Sequence, residues 1–234
     1  MLVKICGPTS VESALTCANA GANFLGLNFY PKSARFIDLP LAQAIIRQLP
    51  GSCTPVGLFV NRPVAEVRET ASSLGLRWLQ LHGDEPNSDI AELMASGFSV
   101  IRAFKIGTET DLAQVAADLR LMQESQASPS AVLLDAKGMP GQHGGTGRTI
   151  PPELLSLLNQ LPLAGSRRLP DGITEHGQVQ LILAGGLNPG NVTDQVRAAG
   201  SAPIWMVDTA SGVETAPGVK NDVKARAFIK AVRG

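Results

Sequence analysis

The chain has 234 residues, 44% of them apolar, which is enough to bury a large core and lies in the size range where a β/α barrel forms one domain. Twenty basic and twenty acidic residues cancel, so the composition offers no electrostatic footprint for nucleic acid or an anionic membrane, and the expected partner is a small molecule. Three scattered cysteines, Cys6, Cys17 and Cys53, with no Cys-x-x-Cys pair and no His at ligand spacing, argue against a disulfide framework or a zinc site.

No stretch approaches the roughly 18 unbroken apolar residues of a membrane span, and the first residues lack the apolar core of a signal peptide. The expected location is the cytoplasm, in agreement with free thiols.

Short apolar runs predict strands over 3–6, 23–28, 54–59, 78–82, 99–104, 131–135, 179–184 and 203–207. Stretches of helical periodicity follow them, near 9–20, 39–49, 63–75, 87–96, 110–124, 151–161, 188–199 and 221–232. Strands separated by helices pair in parallel through crossovers, and eight such units can close with no exposed edge, so the expected fold is an α/β protein built as one (β/α)8 barrel over 1–234. A doubly wound open sheet is the rival; against it, no Gly-x-Gly-x-x-Gly follows the first run. The long polar connection 164–178 reads as a surface loop on the N-terminal face, with Arg167, Arg168 and His176 solvated.

In a barrel the reacting groups stand at the C-terminal strand ends. Taken in order, these are Cys6, Asn28, His82, Asp135 and Asp208. Alternation puts Lys4 on the face of Cys6 and Gln80 on that of His82, so an interior layer carries polar groups that require partners. Lys4 has two readings, a counter-charge for an interior carboxylate or a cation that tunes Cys6. Cys6 alone would be a small buried hydrophobe, but its place before Gly7 among ionisable groups makes it a candidate base. Asp135, after four apolar residues, is either paired structurally or held for proton transfer, and the latter is favoured. Strands one and six stand three places apart in a ring of eight, so these two ends face each other across the mouth.

Two further segments suggest a phosphate site. Gly185 and Gly186, after the seventh run, let backbone N–H groups approach an anion, and Ser211 and Gly212, after the eighth, are placed to open a short extra helix. Ordinary turn glycines are the plainer alternative. Gly138-Met-Pro-Gly-Gln-His-Gly-Gly-Thr-Gly147 reads as a lid, and Arg35 could clamp a carboxylate with its planar fork or simply lie on the surface.

Nearly the whole chain resembles the phosphoribosylanthranilate isomerase family of tryptophan biosynthesis. The resemblance rests on Val3-Lys-Ile-Cys-Gly7, Phe29-Tyr-Pro-Lys-Ser-Ala-Arg35, Val56-Gly-Leu-Phe-Val-Asn61 and Leu79-Gln-Leu-His-Gly-Asp-Glu85. It extends through Leu133-Leu-Asp135 with Gly144-Gly-Thr-Gly147, Leu183-Ala-Gly-Gly-Leu-Asn-Pro189, and Val207-Asp208 with Ser211-Gly-Val-Glu214. It implies an Amadori rearrangement of a phosphoribosyl substrate without metal or cofactor, in a monomer or a homodimer. Asp135 would be the acid and Cys6 the base, Arg35 would hold a carboxylate, and Gly145, Gly185, Gly186, Ser211 and Gly212 would contact substrate. Lys4, His82 and Asp208 would tune or support them, His82 as a hydrogen-bonded residue under the site. Ala34 replaces a usual Pro and Ala210 a common second Ser, which leaves the substrate loop and one phosphate contact open.

Two other functions compete. The histidine-pathway isomerase performs the same rearrangement but uses an aspartate where this chain has Cys6, and a barrel that binds a sugar phosphate without turnover would not need Cys6 and Asp135.

Overall fold

Each predicted run forms a strand: Leu2–Cys6 (β1), Phe24–Asn28 (β2), Thr54–Phe59 (β3), Trp78–Leu81 (β4), Ser99–Ile106 (β5) and Ala131–Ala136 (β6). After a hairpin of Ala164–Arg168 (β7) and Thr174–Gln178 (β8) come Gln180–Leu183 (β9) and Ile204–Thr209 (β10). The computed structural model describes residues 1–138, 148–168 and 174–234, with the backbone alone described at 166–168 and 174–176. The expected lid residues 139–147, Gly145 among them, lie outside the described residues.

β1 pairs with β2 and, at the other end of the chain, with β10, and all neighbours run parallel in the order β1-β10-β9-β6-β5-β4-β3-β2, so the sheet is a closed barrel. Helices Val11–Ala20 (α1), Leu39–Gln48 (α2), Val64–Ser73 (α3), Asn87–Ala95 (α4) and Glu109–Glu124 (α5) follow the first five strands. Pro152–Leu155 (α6), Val192–Ala198 (α7) and Asp222–Arg233 (α8) follow β6, β9 and β10. None of them is long and apolar enough to cross a membrane.

The runs read as unbroken apolar because both strand faces are covered. Outward residues such as Val3, Leu25, Leu79, Val132 and Leu181 join the helix residues Ala14, Ile45, Val67, Leu93, Leu119 and Phe228 in one core between barrel and helices. Inward residues Val56, Ile101, Leu133, Ile182 and Met206 fill the barrel itself. Full burial of a side chain the size of Ile101 or Met206 stabilises the fold by about 1.5–3 kcal/mol. At the N-terminal end, Phe24 meets Trp78 and Trp205 edge-on at 5.5 and 5.6 Å, and the two indoles stack at 5.8 Å, closing the barrel floor.

Local chemistry sets where the helices begin. Ser10, Asp38 and Asn221 accept from backbone N–H groups three residues on, and Thr108 with Asp111 forms a reciprocal capping box.

Three boundaries differ from the predicted pattern. The stretch 151–161 yields only α6 and a 3-10 turn at Leu158–Gln160; Ser156 Oγ donates to the Glu153 carbonyl at 2.7 Å, and Leu154, Leu155, Leu158 and Leu161 reach the core without a continuous helix. α7 starts four residues late because Asn188 and Asn191 fold Asn188-Pro-Gly-Asn191 into a turn, Asn191 Oδ1 accepting from Asn188 N and Asn188 Oδ1 from Gly190 N, both at 2.8 Å. The connection 164–178 is an antiparallel hairpin, with Ala164 opposite Gln178 and Arg168 opposite Thr174, rather than the expected loop. Its pairing runs through the backbone, and no apolar alternation announces it. Its base packs at the N-terminal strand ends, where a Cβ on Gly165 would touch Val179 and Ser128, so the expected face is right.

Candidate active site

A cavity of about 200 Å³ opens at the C-terminal ends of the strands. Cys6 from β1 and Asp135 from β6 both line it, as strand counting predicts. His82, Arg35, Gly185, Gly186, Ser211 and Asp208 also line it.

Cys6 points inward because β1 alternates, and it has room because β2 carries a glycine there: a Cβ on Gly26 would lie 2.5 Å from Cys6 Sγ. Gly7 then turns the chain at a φ of 77°, and a side chain in its place would press on the stem of Arg35.

Lys4, one turn of the pleat below Cys6, is fully buried and pairs with Asp208 across the β1–β10 ladder at 3.0 Å. Burial pulls its pKa down, but Asp208 and Cys6 more than offset this, so the ammonium is held above the usual lysine range. The pairing with Asp208 fits the counter-charge reading, and Lys4 is also one of the cations that act to lower the Cys6 thiol. The Cys6 thiol is nonetheless pushed up: burial dominates, Asp208 adds to it, and the pull of Lys4, Lys220 and Arg35 is outweighed. One cation therefore does not hold it as thiolate. Asp208 keeps Oδ1 without a hydrogen-bond partner among the described residues, and burial raises its carboxyl against the pull of Lys4.

His82 stands in the cavity wall beside the acid rather than under the site. Its Nε2 lies 3.5 Å from Asp135 Oδ2 and its Nδ1 2.7 Å from Gln80 Nε2. The Gln80 amide and the Asp135 carboxylate thus hold the two ring nitrogens from opposite sides.

On the side where the sequence suggests a phosphate site, Gly185 and Gly186 have φ of 87° and 57°, and a Cβ on Gly185 would collide with the backbone of Ala136, so only glycine lets this loop cross beside β6. Asn191 Nδ2 staples it by donating to the Gly186 carbonyl at 3.0 Å. Ser211–Val213 is the expected extra helix, a single 3-10 turn. Ser211 faces the cavity, whereas Gly212 lies against the Leu187 carbonyl, where a Cβ would not fit; its part is to bring the two loops together.

Arg35 does not present a free fork. Its Nε donates to Glu214 Oε1 at 2.9 Å and its Nη2 to Glu214 Oε2 at 2.7 Å, which leaves the end-on edge carrying Nη1 for a ligand. Glu214 also accepts from Lys220 at 2.6 Å; burial works to raise its carboxyl, but Arg35 and Lys220 hold it below the usual glutamate range.

Sequence reasoning missed Gly26, Lys220 and the pairing role of Glu214, together with Lys105 and Arg148, two exposed cations at the cavity rim. A glycine inside an apolar strand was the available signal for Gly26. The others depend on partners far along the chain.

All three cysteines are free. Cys6 alone lines the cavity, while burial lifts the Cys17 and Cys53 thiols to about 12 and about 11. Iodoacetamide is thus expected to alkylate Cys6 first, at a rate that keeps rising beyond the pH of about 8.5 at which a free thiol is half ionised. Mass spectrometry of the labelled protein checks this, and prior labelling of Cys17 would contradict the geometry.

A closed (β/α)8 barrel with a thiol, a carboxylate and glycine-rich loops gathered at its C-terminal mouth defines a barrel enzyme of acid–base chemistry. The family model described as N-(5'phosphoribosyl)anthranilate (PRA) isomerase matches residues 3–231. An N-(5'-phosphoribosyl)anthranilate isomerase of Chlorobaculum parvum is 40% identical over 231 residues, covering 99% of this chain and 94% of that protein. The crystal structure of phosphoribosyl anthranilate isomerase from Thermotoga maritima superposes with a TM-score of 0.80 at 32% identity, covering 100% and 99% of the two chains. Another, of the isomerase in complex with reduced 1-(o-carboxyphenylamino)-1-deoxyribulose 5-phosphate, gives 0.76 at 29% identity, with 100% and 99% covered. The chain belongs to the N-(5'-phosphoribosyl)anthranilate isomerase family.

Proposed function

We propose that this chain catalyses the Amadori rearrangement of N-(5'-phosphoribosyl)anthranilate to 1-(2-carboxyphenylamino)-1-deoxyribulose 5-phosphate, a step of tryptophan biosynthesis, with Asp135 as general acid and Cys6 as general base. The observation that carries the assignment of roles is that these two groups, from strands three places apart, line one cavity.

Asp135 donates its proton to the ribose ring oxygen, and the C1–O bond opens to an iminium. That cation acidifies the neighbouring C2–H, so a base of modest strength suffices. Cys6 removes the C2 proton, and the resulting enolamine tautomerises to the ketose. The rising positive charge of the iminium offsets the burial that raises the Cys6 thiol, so ring opening and base activation reinforce each other.

The remaining groups hold the substrate. Gly185, Gly186 and Ser211 take the phosphate, Gly212 and Thr209 fix the loop that carries Ser211, and the free edge of Arg35 takes the anthranilate carboxylate. The acid and the base come from one chain, so a monomer or a homodimer can work, and the cytoplasm, where thiols stay reduced, suits Cys6.

An assay with phosphoribosylanthranilate beside the aminoaldose substrate of the histidine pathway tests the reading. Turnover of the first and none of the second is expected. Turnover of the second alone would assign the chain to the other isomerase, and binding of the first without turnover would make it a binding barrel.

A further inference from the structure

Arg35 is held by a network that the acid–base chemistry does not use. Glu214 opens the strand Glu214–Ala216 (β11), which pairs antiparallel with Val219–Lys220 (β12) to form a small hairpin between β10 and α8. Ser13 of α1 fastens this hairpin by donating to the Gly218 carbonyl at 3.1 Å and accepting from Lys220 N at 2.9 Å. The Glu214 carboxylate, with only 5% of its side-chain surface exposed, accepts from four donors: Arg35 Nε and Nη2, Lys220 Nζ and Gly218 N. Lys220, wholly buried, spends its other two hydrogens on the carbonyls of Cys6 and Ala210.

One ammonium thus joins the residue of the base, the start of the loop that carries Ser211 and the carboxylate that grips Arg35. The charge count is two cations to one carboxylate, which leaves one positive unit turned toward the cavity through Arg35. A substrate carboxylate supplies the missing negative charge.

We infer that Glu214, fixed by Lys220, is the positioning residue for Arg35: it takes the side-on edge of the guanidinium so that the end-on edge is aimed at the substrate carboxylate before binding, and it thereby sets the preference for a carboxylated aniline. The inference rests on the proposed carboxylate-holding role of Arg35. Because the guanidinium is already oriented, little rotamer freedom is lost when substrate arrives, and the benefit is confined to substrates that bear the carboxylate.

The test compares kcat and KM for N-(5'-phosphoribosyl)anthranilate and for N-(5'-phosphoribosyl)aniline, which lacks the carboxylate. Glu214→Gln is expected to lower kcat/KM for the carboxylated substrate about tenfold, chiefly through KM, while changing the aniline compound less than about twofold. In the Arg35→Ala background the same change is expected to add nothing. Glu214→Asp keeps the charge on a shorter arm and is expected to recover part of the loss; it also serves as the second variant if Glu214→Gln does not fold.

Equal losses on both substrates, or a further loss in the Arg35→Ala background, would overturn the inference and leave Glu214 a general structural support. No loss on the carboxylated substrate from either Glu214 variant, with Arg35→Ala still selective against it, would overturn the positioning role alone. Arg35→Ala acting equally on both substrates would instead overturn the clamp on which the inference rests.

Discussion

Asp135→Asn is expected to lower kcat by about 10²–10⁴-fold, the range a positioned proton donor supplies. The amide has the carboxyl's shape and cannot give up a proton to the ring oxygen. Among the described residues His82 Nε2 lies 3.5 Å from Asp135, and Lys105 is its neighbour on β5. Neither replaces it as donor to a ring lying between β1 and β6. Steady-state kinetics with product binding measured in parallel separates the cases: binding should survive while turnover falls, and activity within about tenfold of wild type would remove Asp135 from the acid's role.

Cys6→Ala is expected to be at least as costly, since no other group on β1 reaches the cavity and Lys4 below it is spent on Asp208. A loss of about 10³-fold or more in kcat/KM is the expected result. The pH profile adds an independent check on the sign. Burial raises the thiol, so in the free enzyme the base is ionised only toward alkaline pH, and kcat/KM should climb past about 8.5 before levelling. Residual activity of Cys6→Ala should lose that climb. A wild-type profile already flat at pH 7 would mean that the surrounding cations outweigh burial after all.

Much of the barrel is legible in the chain because both faces of each strand are covered. The stretches 56–59 and 131–134 carry no polar side chain, and a polar residue that follows such a stretch, as Asp135 does, stands at the mouth. Cys6, His82, Asp135 and Asp208 were found by that rule. It could not find Glu214 or Lys220, because their meaning lies in contacts to Arg35 and Cys6, 179 and 214 positions away along the chain. Nor could it show that Arg35 offers one edge rather than its whole fork. The hairpin β7–β8 escaped for another reason, its pairing being written in backbone hydrogen bonds that any side chains would allow.

The chain has two tryptophans, and both sit in the barrel floor, stacked at 5.8 Å behind Phe24. Nature has thereby put the protein's intrinsic emission at the end of the barrel away from the chemistry. Ultraviolet fluorescence of this chain reports whether the staves have come together at the bottom, and the aminobenzoate ring of a ligand at the mouth is a separate fluorophore. Closure of the scaffold and occupancy of the site can therefore be followed in one cuvette as two distinct colours.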